Sequence, residues 1–126
     1  MKTMVVDDEK DVELRLRQYF RKEIKQKKIE FIFTFSGDNA LRQLRNMEKP
    51  PEIMVIFSDI NMQGMNGLEL LQTVKRDGST SRVSMITAYS DQYYEAAMAS
   101  GADSFHTKPL DFSILKQELL KGEISE

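Results

Sequence analysis

The chain has 126 residues, of which 40% are hydrophobic and 30% charged, as expected for one globular domain large enough to bury a single core. Its formal net charge is −2, so the charge of the whole molecule favours neither nucleic acid nor an anionic membrane as a partner. The sequence has no cysteine, which excludes disulfides, thiolate metal sites and thiol catalysis, and no apolar run approaches the roughly 18 residues of a membrane span.

Short apolar runs alternate with longer amphipathic segments along the chain. The apolar runs predict strands at Thr3–Val6, Ile29–Phe35, Ile53–Phe57, Val83–Ile86 and Asp103–Thr107. Apolar residues at helical spacing predict helices from Asp11 to about Lys27, from Ser36 or Asp38 to Pro50-Pro51, from after Gly67 to Asp77-Gly78, from about Ser90 to Ser100, and from Asp111 to Lys121, with Gly122 as terminator. The buried face of the first helix would comprise Val12, Leu16, Tyr19, Phe20 and Ile24.

This order repeats a strand and a helix five times. Short strands separated by helices pair in parallel through right-handed crossovers, which place helices on both faces of the sheet. We therefore predict an α/β fold with a doubly wound five-stranded parallel sheet, (βα)5, as a single domain over 1–126 in which 123–126 form a short tail or the start of a linker. In such a sheet, functional groups gather at the carboxyl ends of the strands.

Charged and polar residues stand at those strand ends. The first strand ends in Asp7-Asp8, the third in Asp59, the fourth in Thr87 and the fifth in Lys108. Clustered carboxylates stay ionised at neutral pH only if a cation compensates them, and Mg²⁺ prefers such oxygen ligands. A nucleophilic carboxylate, a metal, an ammonium group and a hydroxyl are the groups that phosphoryl transfer onto an aspartate requires. Each residue alone is more often a helix cap, a turn residue or a surface residue, but their conjunction indicates a site.

The sequence resembles, over nearly its whole length, the receiver domains of bacterial two-component response regulators, including the chemotaxis regulators. The motifs that carry the resemblance are Val5-Val6-Asp7-Asp8-Glu9, Ser58-Asp59-Ile60-Asn61-Met62 with Gly64-Met65-Asn66-Gly67, Met85-Ile86-Thr87-Ala88, and Lys108-Pro109-Leu110. The resemblance implies a flavodoxin-like receiver fold and a cytoplasmic signalling domain, which is not an enzyme except for its own phosphorylation and dephosphorylation.

The resemblance also implies a role for each site residue. Asp59 would accept the phosphoryl group, Thr87 would hydrogen-bond it and Lys108 would pair with it. The implied Mg²⁺ ligands are Asp8, Asp59 and the backbone carbonyl of Asn61, with Asp7 acting mainly through bound water. Phe105 would be the switching aromatic that follows Thr87, and the Lys108-Pro109 peptide bond would be cis. One departure from the family pattern is Gln63, which stands where proline is usual.

Three further residues are candidates for a role outside the acidic site. His106, the only histidine, is expected to face away from that site, since a metal site needs several convergent ligands. Tyr93 and Tyr94 lie on the fourth helical segment. Either tyrosine would suit an interaction surface if exposed, whereas one of them packs on the sheet in the simpler interpretation.

The resemblance implies partners as well. A histidine kinase or a histidine phosphotransfer protein would donate the phosphoryl group, and the face made by the fourth helix, fifth strand and fifth helix would be remodelled to bind a target or a second receiver, giving a phosphorylation-dependent homodimer. No basic recognition helix is present, so we expect no direct contact with nucleic acid, and no membrane partner. The chain would be a stand-alone regulator or one domain of a longer protein.

Three alternatives remain open at this point. A degenerate receiver would be a phosphorylation-independent binding module. A small aspartate-nucleophile phosphatase would carry two acids two residues apart after its first strand, whereas Asp7 and Asp8 are adjacent. A flavodoxin-like electron carrier would need a phosphate-binding loop after the first strand, where Asp7, Asp8 and Glu9 would repel the flavin phosphate.

Overall fold

The computed structural model describes residues 2–47 and 53–124. The strands are β1 Lys2–Val6, β2 Glu30–Thr34, β3 Ile53–Asp59, β4 Arg82–Thr87 and β5 Ser104–Thr107. The helices are α1 Asp11–Tyr19, α2 Arg21–Lys25, α3 Gly37–Asn46, α4 Gly67–Arg76, α5 Ser90–Ala99 and α6 Phe112–Ile124. None of these helices is long and apolar enough to cross a bilayer.

The strands form one parallel sheet in the order β2-β1-β3-β4-β5, which confirms the predicted doubly wound (βα)5 fold. The chain first moves outward from β1 to β2 and then returns across β1 to β3. The direction of winding therefore reverses between β1 and β3, and the carboxyl ends of these strands flank the crevice where such sheets bind ligands.

Two apolar layers cover the two faces of the sheet because successive side chains of a strand point in opposite directions. On one face, Met4 and Ile56 pack with the layer that contains Leu70 of α4. On the other, Val5 and Phe57 pack with a layer of α1 and α6 residues. The central strand β3 is thus buried on both sides, as its continuous apolar run predicted.

The predicted helix from Asp11 to Lys27 is wrong, because the segment forms two helices separated at Phe20. There the backbone leaves the helical conformation, with φ −97° and ψ 19°. Phe20 is fully buried and packs edge-to-face against Phe31. Adjacent residues of a helix point in directions about 100° apart, so Phe20 and Tyr19 cannot both point into the core. Phe20 occupies the core, and Tyr19, which was predicted on the buried face, is 44% exposed.

Element boundaries differ elsewhere by a few residues. Strand β3 extends two residues further than predicted, so Asp59 is its last residue. Helix α6 begins one residue later because Asp111 caps it, accepting the Ser113 and Ile114 N–H groups. The prediction that Gly122 ends this helix is wrong, since α6 runs on to Ile124, into the predicted tail. A glycine costs a helix only about 1 kcal/mol and does not by itself stop it. Pro50-Pro51 and residues 125–126 lie outside the described residues.

Candidate functional site

The ends of β1 and β3 bring three carboxylates together. Asp7 follows β1, where its N–H donates to the Thr34 carbonyl at 3.1 Å, and Asp59 ends β3. Carboxylate oxygens of Asp7, Asp8 and Asp59 all lie within 4.8 Å of one another. Asp7 and Asp59 are buried, at 4% and 3% exposure, whereas Asp8 is exposed. The cluster therefore opens to solvent on the Asp8 side.

Lys108, which follows β5, is directed into this cluster. Its Nζ lies 3.1 Å from Oδ2 of Asp59, 3.5 Å from Oδ2 of Asp7 and 3.9 Å from Oε1 of Glu9. The Lys108 N–H donates to the Thr87 carbonyl at 2.9 Å, which fixes this position relative to the end of β4. The Lys108-Pro109 bond is cis, as the resemblance implied.

Burial dominates the electrostatics of the cluster. It raises the pKa of Asp59, and the hydrogen bond and charge of Lys108 offset this only in part. Burial likewise raises the pKa of Asp7, against the opposing effect of the Glu9 N–H. Burial lowers the pKa of Lys108, but the hydrogen bond and charge of Asp59 outweigh it and leave that pKa raised. One ammonium group thus compensates the carboxylates incompletely.

This donor set fits a hard divalent cation. Mg²⁺ takes oxygen ligands and usually combines one or two carboxylates with water and substrate oxygens. The incompletely compensated Asp7 and Asp59, together with the exposed Asp8, provide such oxygens with access from solvent. The backbone around them is held as well: the Asn61 N–H donates to Oδ1 of Asp59 at 3.3 Å and the Gln63 N–H to Oδ2 of Asp8 at 3.4 Å.

A short hydrogen-bond chain leads from the end of β4 to α5. The hydroxyl of the buried Thr87 donates to Oδ1 of Asn61 at 2.7 Å and accepts the Tyr89 N–H at 3.0 Å. The Asn61 side-chain amide donates to the Tyr93 hydroxyl oxygen at 3.3 Å. The structure thus brings Thr87 beside Asn61, a contact that the sequence did not indicate.

The loop between β3 and α4 is held close to Asp59 by Gly67, the first residue of α4. The Gly67 N–H donates to the Ile60 carbonyl at 2.9 Å, and Asn66 and Glu69, on either side of Gly67, form a reciprocal capping box. A Cβ atom at Gly67 would lie only 2.2 Å from the Asp59 carbonyl oxygen. Only glycine permits this approach of α4 to the end of β3.

The aromatic residues divide between the core and the surface. Phe105 is partly buried against the layer that covers one face of the sheet, and its ring meets Tyr94 edge-to-face at 5.3 Å between centroids. Tyr94 is 51% exposed, whereas Tyr93 packs against the same layer. One tyrosine therefore packs on the sheet and the other is available at the surface.

A partly buried polar cluster, which the sequence did not predict, lies outside the acidic site. His106 turns away from the carboxylates and contacts Glu118 of α6, which also accepts hydrogen bonds from Ser84 and Ser104. Ser84 and Ser104 are register partners on β4 and β5. Serines at facing positions of two strands were the only available sequence signal for this cluster.

The sequence of this chain is similar to those of known proteins. A family model described as the response regulator receiver domain matches residues 3–120. The chain is 37% identical over 111 residues to the heme response regulator HssR of Staphylococcus epidermidis, covering 86% of this chain but only 45% of that protein. It is 31% identical over 125 residues to the chemotaxis protein CheY-3 of Vibrio cholerae, covering 96% of this chain and 90% of that protein.

Solved structures agree in fold. A two-component response regulator from Clostridium difficile superposes with a TM-score of 0.79 at 22% identity, covering 98% of each chain. The response regulator TrrA of Thermotoga maritima, solved with Mg²⁺ and beryllofluoride, gives a TM-score of 0.74 at 25% identity over 95% of this chain and 96% of that one. The chain spans less than half of HssR, so its similarity to that protein concerns one part of it.

Proposed function

Because this chain belongs to the response regulator receiver family, we propose that it is a phosphorelay switch that takes up a phosphoryl group on Asp59 with Mg²⁺ beside it. The observation that carries the proposal is the contact of Lys108 Nζ with Oδ2 of Asp59 at 3.1 Å, within a cluster of three carboxylates. This arrangement supports the proposal, because phosphoryl transfer onto a carboxylate needs a nucleophilic carboxylate, a cation and metal ligands close together.

In this proposal Asp8, Asp59 and the backbone carbonyl of Asn61 hold Mg²⁺, and Asp7 acts mainly through bound water. When bound, the metal neutralises charge on the phosphoryl oxygens. The raised pKa values of Asp7 and Asp59 support the assignment, because carboxylates that are costly to ionise in the metal-free protein gain most from a cation.

The phosphoryl donor is a phosphohistidine of a sensor kinase or a phosphotransfer protein. A carboxylate oxygen of Asp59 forms the new P–O bond as the P–N bond to the donor histidine breaks, and the electron pair of that bond leaves with the imidazole. Lys108 pairs with a phosphoryl oxygen. It needs little movement to do so, because its Nζ already contacts the Asp59 carboxylate that receives the phosphoryl group. Thr87 then donates a hydrogen bond from its hydroxyl group to another phosphoryl oxygen.

The response reaches the surface through Phe105. When Thr87 moves toward the phosphoryl group, the Phe105 ring moves in the same direction. This change remodels the face formed by α5, β5 and α6. These are the predicted fourth helix, fifth strand and fifth helix, renumbered because the first helix is divided. The exposed Tyr94, in edge-to-face contact with Phe105, lies on this face. An output partner or a second receiver would bind there, in the cytoplasm and without direct contact to nucleic acid.

A degenerate receiver is less well supported. Loss of function in such a site removes a carboxylate, the lysine or the hydroxyl residue. Here the three carboxylates lie together with Lys108, and the Thr87 hydroxyl bonds the neighbouring Asn61. An aspartate-nucleophile phosphatase is also disfavoured, because the carboxylate that Lys108 approaches most closely ends β3 rather than β1.

Acetyl phosphate tests the proposal directly. The protein is incubated with acetyl phosphate and Mg²⁺ and its intact mass is measured, with EDTA and the Asp59→Asn variant as negative controls and Asp38→Asn, an exposed aspartate of α3, as the matched variant. We expect one phosphoryl adduct, which EDTA and Asp59→Asn abolish and Asp38→Asn leaves unchanged. Binding of beryllofluoride with Mg²⁺ provides a second readout that needs no phosphoryl donor. A folded protein that forms no adduct and binds neither ion would instead be a degenerate binding module.

A further inference from the structure

Asn61 makes three polar contacts that join separate parts of the site. Its backbone N–H donates to Oδ1 of Asp59 at 3.3 Å, its side-chain oxygen accepts from the Thr87 hydroxyl at 2.7 Å, and its side-chain amide donates to the Tyr93 hydroxyl oxygen at 3.3 Å. A single residue therefore connects the end of β3 with the end of β4 and with α5, the last two through its side chain.

The contact with Thr87 has a consequence for the phosphorylated state. A threonine hydroxyl carries one proton, so it donates one hydrogen bond at a time. Here that proton is directed to Asn61, while a lone pair of the same oxygen accepts the Tyr89 N–H. Thr87 must release Asn61 before it can donate to a phosphoryl oxygen on Asp59.

We propose that the side chain of Asn61 is a positioning residue that holds Thr87 in the unphosphorylated arrangement by competing with the phosphoryl group for the Thr87 hydroxyl proton. This inference rests on the proposed function, and it concerns the Asn61 side chain rather than its backbone carbonyl. Because the same amide also binds Tyr93, release of Thr87 loosens the polar tie between the site and α5.

The competition predicts how removal of the amide acts. In Asn61→Ala, Thr87 no longer has to break a protein hydrogen bond, so the activated arrangement becomes easier to reach. A hydrogen bond of ordinary net strength corresponds to an affinity gain of about two- to tenfold. Tyr93→Phe, which removes one partner of the amide and leaves Thr87–Asn61 intact, should give a smaller change in the same direction.

Beryllofluoride affinity in the presence of Mg²⁺ tests this, measured for wild type, Asn61→Ala, Thr87→Val and the double variant. Asn39→Ala on α3 is the matched control, because it also removes an asparagine amide that bonds a neighbouring side chain. We expect tighter binding in Asn61→Ala, no change in Asn39→Ala, and no gain from Asn61→Ala when Thr87 is already valine.

A spectroscopic readout separates positioning from a general effect on the fold. In the metal-free protein, the Asn61 side-chain amide resonances should shift on Thr87→Val and on Tyr93→Phe. On addition of Mg²⁺ and beryllofluoride to wild type, they should move toward their position in Thr87→Val. A merely structural Asn61 would not reproduce this correspondence.

Two results would overturn the proposal while leaving the proposed function intact. One is wild-type binding of beryllofluoride that Asn61→Ala leaves unchanged or weakens, as expected if Asn61 instead donated to Thr87 and left the hydroxyl proton free. The other is a gain in affinity that persists in the Thr87→Val background. Absence of beryllofluoride binding by the wild-type protein would overturn the proposed function itself, and with it the competition.

Discussion

The imidazole Nε2 of His106 lies 3.3 Å from Oε2 of Glu118, in the layer between the sheet and α6. Ser84 donates to the same carboxylate oxygen at 3.1 Å and Ser104 to the other. Burial raises the pKa of Glu118, but the hydrogen bonds from His106, Ser104 and Ser84 outweigh it and hold that pKa below its ordinary value of 4.5. The ionised carboxylate therefore ties α6 to both β4 and β5.

We predict that Glu118→Gln lowers stability at neutral pH by about 1.5 to 3 kcal/mol, the range for hydrogen bonds to a charged group. Since the folded pKa is lowered, the contribution of Glu118 is fully present above 4.5 and is lost as pH falls through the folded value. Thermal melts of the two proteins should thus converge in acid. Glu95→Gln on the exposed side of α5 is the control, and melting curves that stay equally separated at all pH values would contradict this account.

Asp59→Asn should stabilise the metal-free protein. The pKa of Asp59 is raised, so its ionisation opposes folding above the folded pKa, and this opposition is relieved as pH falls to the ordinary value of 3.8. We expect a higher melting temperature for the variant at neutral pH in EDTA. Mg²⁺ should raise the melting temperature of wild type more than that of the variant. A lower melting temperature for Asp59→Asn in EDTA would show that its contact with Lys108 outweighs burial.

Much of this arrangement followed from sequence, for identifiable reasons. Hydrophobic runs located the five strands, and parallel pairing then required the residues after them, including Asp7 and Lys108, to meet at one edge. The interruption at Phe20 was not predictable, because no glycine or proline marks it and the ring's place in the core decides it. The Asn61–Tyr93 contact and the environment of Glu118 depend on side chains from separate elements, which residue spacing does not encode.

Gly67→Ala should destabilise the protein and displace Asp59. A Cβ atom there would lie 2.2 Å from the Asp59 carbonyl oxygen and 2.8 Å from Cα of Ile60, so backbone must move. Overpacking of this kind costs about 1 to 3 kcal/mol. Gly37→Ala is a matched control, since Gly37 is the first residue of α3 and its Cβ would meet Met65 at 3.0 Å from Cγ and 3.1 Å from the carbonyl oxygen, which is less close than the contacts at Gly67.

Denaturant midpoints measure the cost of each glycine substitution, and acetyl phosphate labelling measures its effect on Asp59. We expect the larger loss on both for Gly67→Ala, because a new methyl group at Gly37 would need Met65 to shift by only a few tenths of an ångström, whereas the 2.2 Å contact at Gly67 forces the backbone of Asp59 to move. Equal losses for the two variants would contradict the special role of Gly67.

Thr3→Val should stabilise the protein. Thr3 is fully buried in β1, and its hydroxyl oxygen has no hydrogen-bond partner among the described residues. Leaving such a group unsatisfied costs about 1 to 3 kcal/mol, part of which an isosteric methyl recovers. Thr34→Val on the neighbouring β2 is the control, because the Thr34 hydroxyl donates to the Val5 carbonyl at 3.4 Å. Urea unfolding should give a higher midpoint for Thr3→Val only.

The two outer strands of the sheet, β2 and β5, are five and four residues long. Edge strands this short present few backbone N–H and C=O groups for pairing, so another polypeptide could add only a short strand to the sheet. Along β2, the Arg17 guanidinium also covers the Phe33 ring at 4.8 Å. A protein that recognises this domain would therefore contact the side chains of its helices and loops rather than the edges of its sheet.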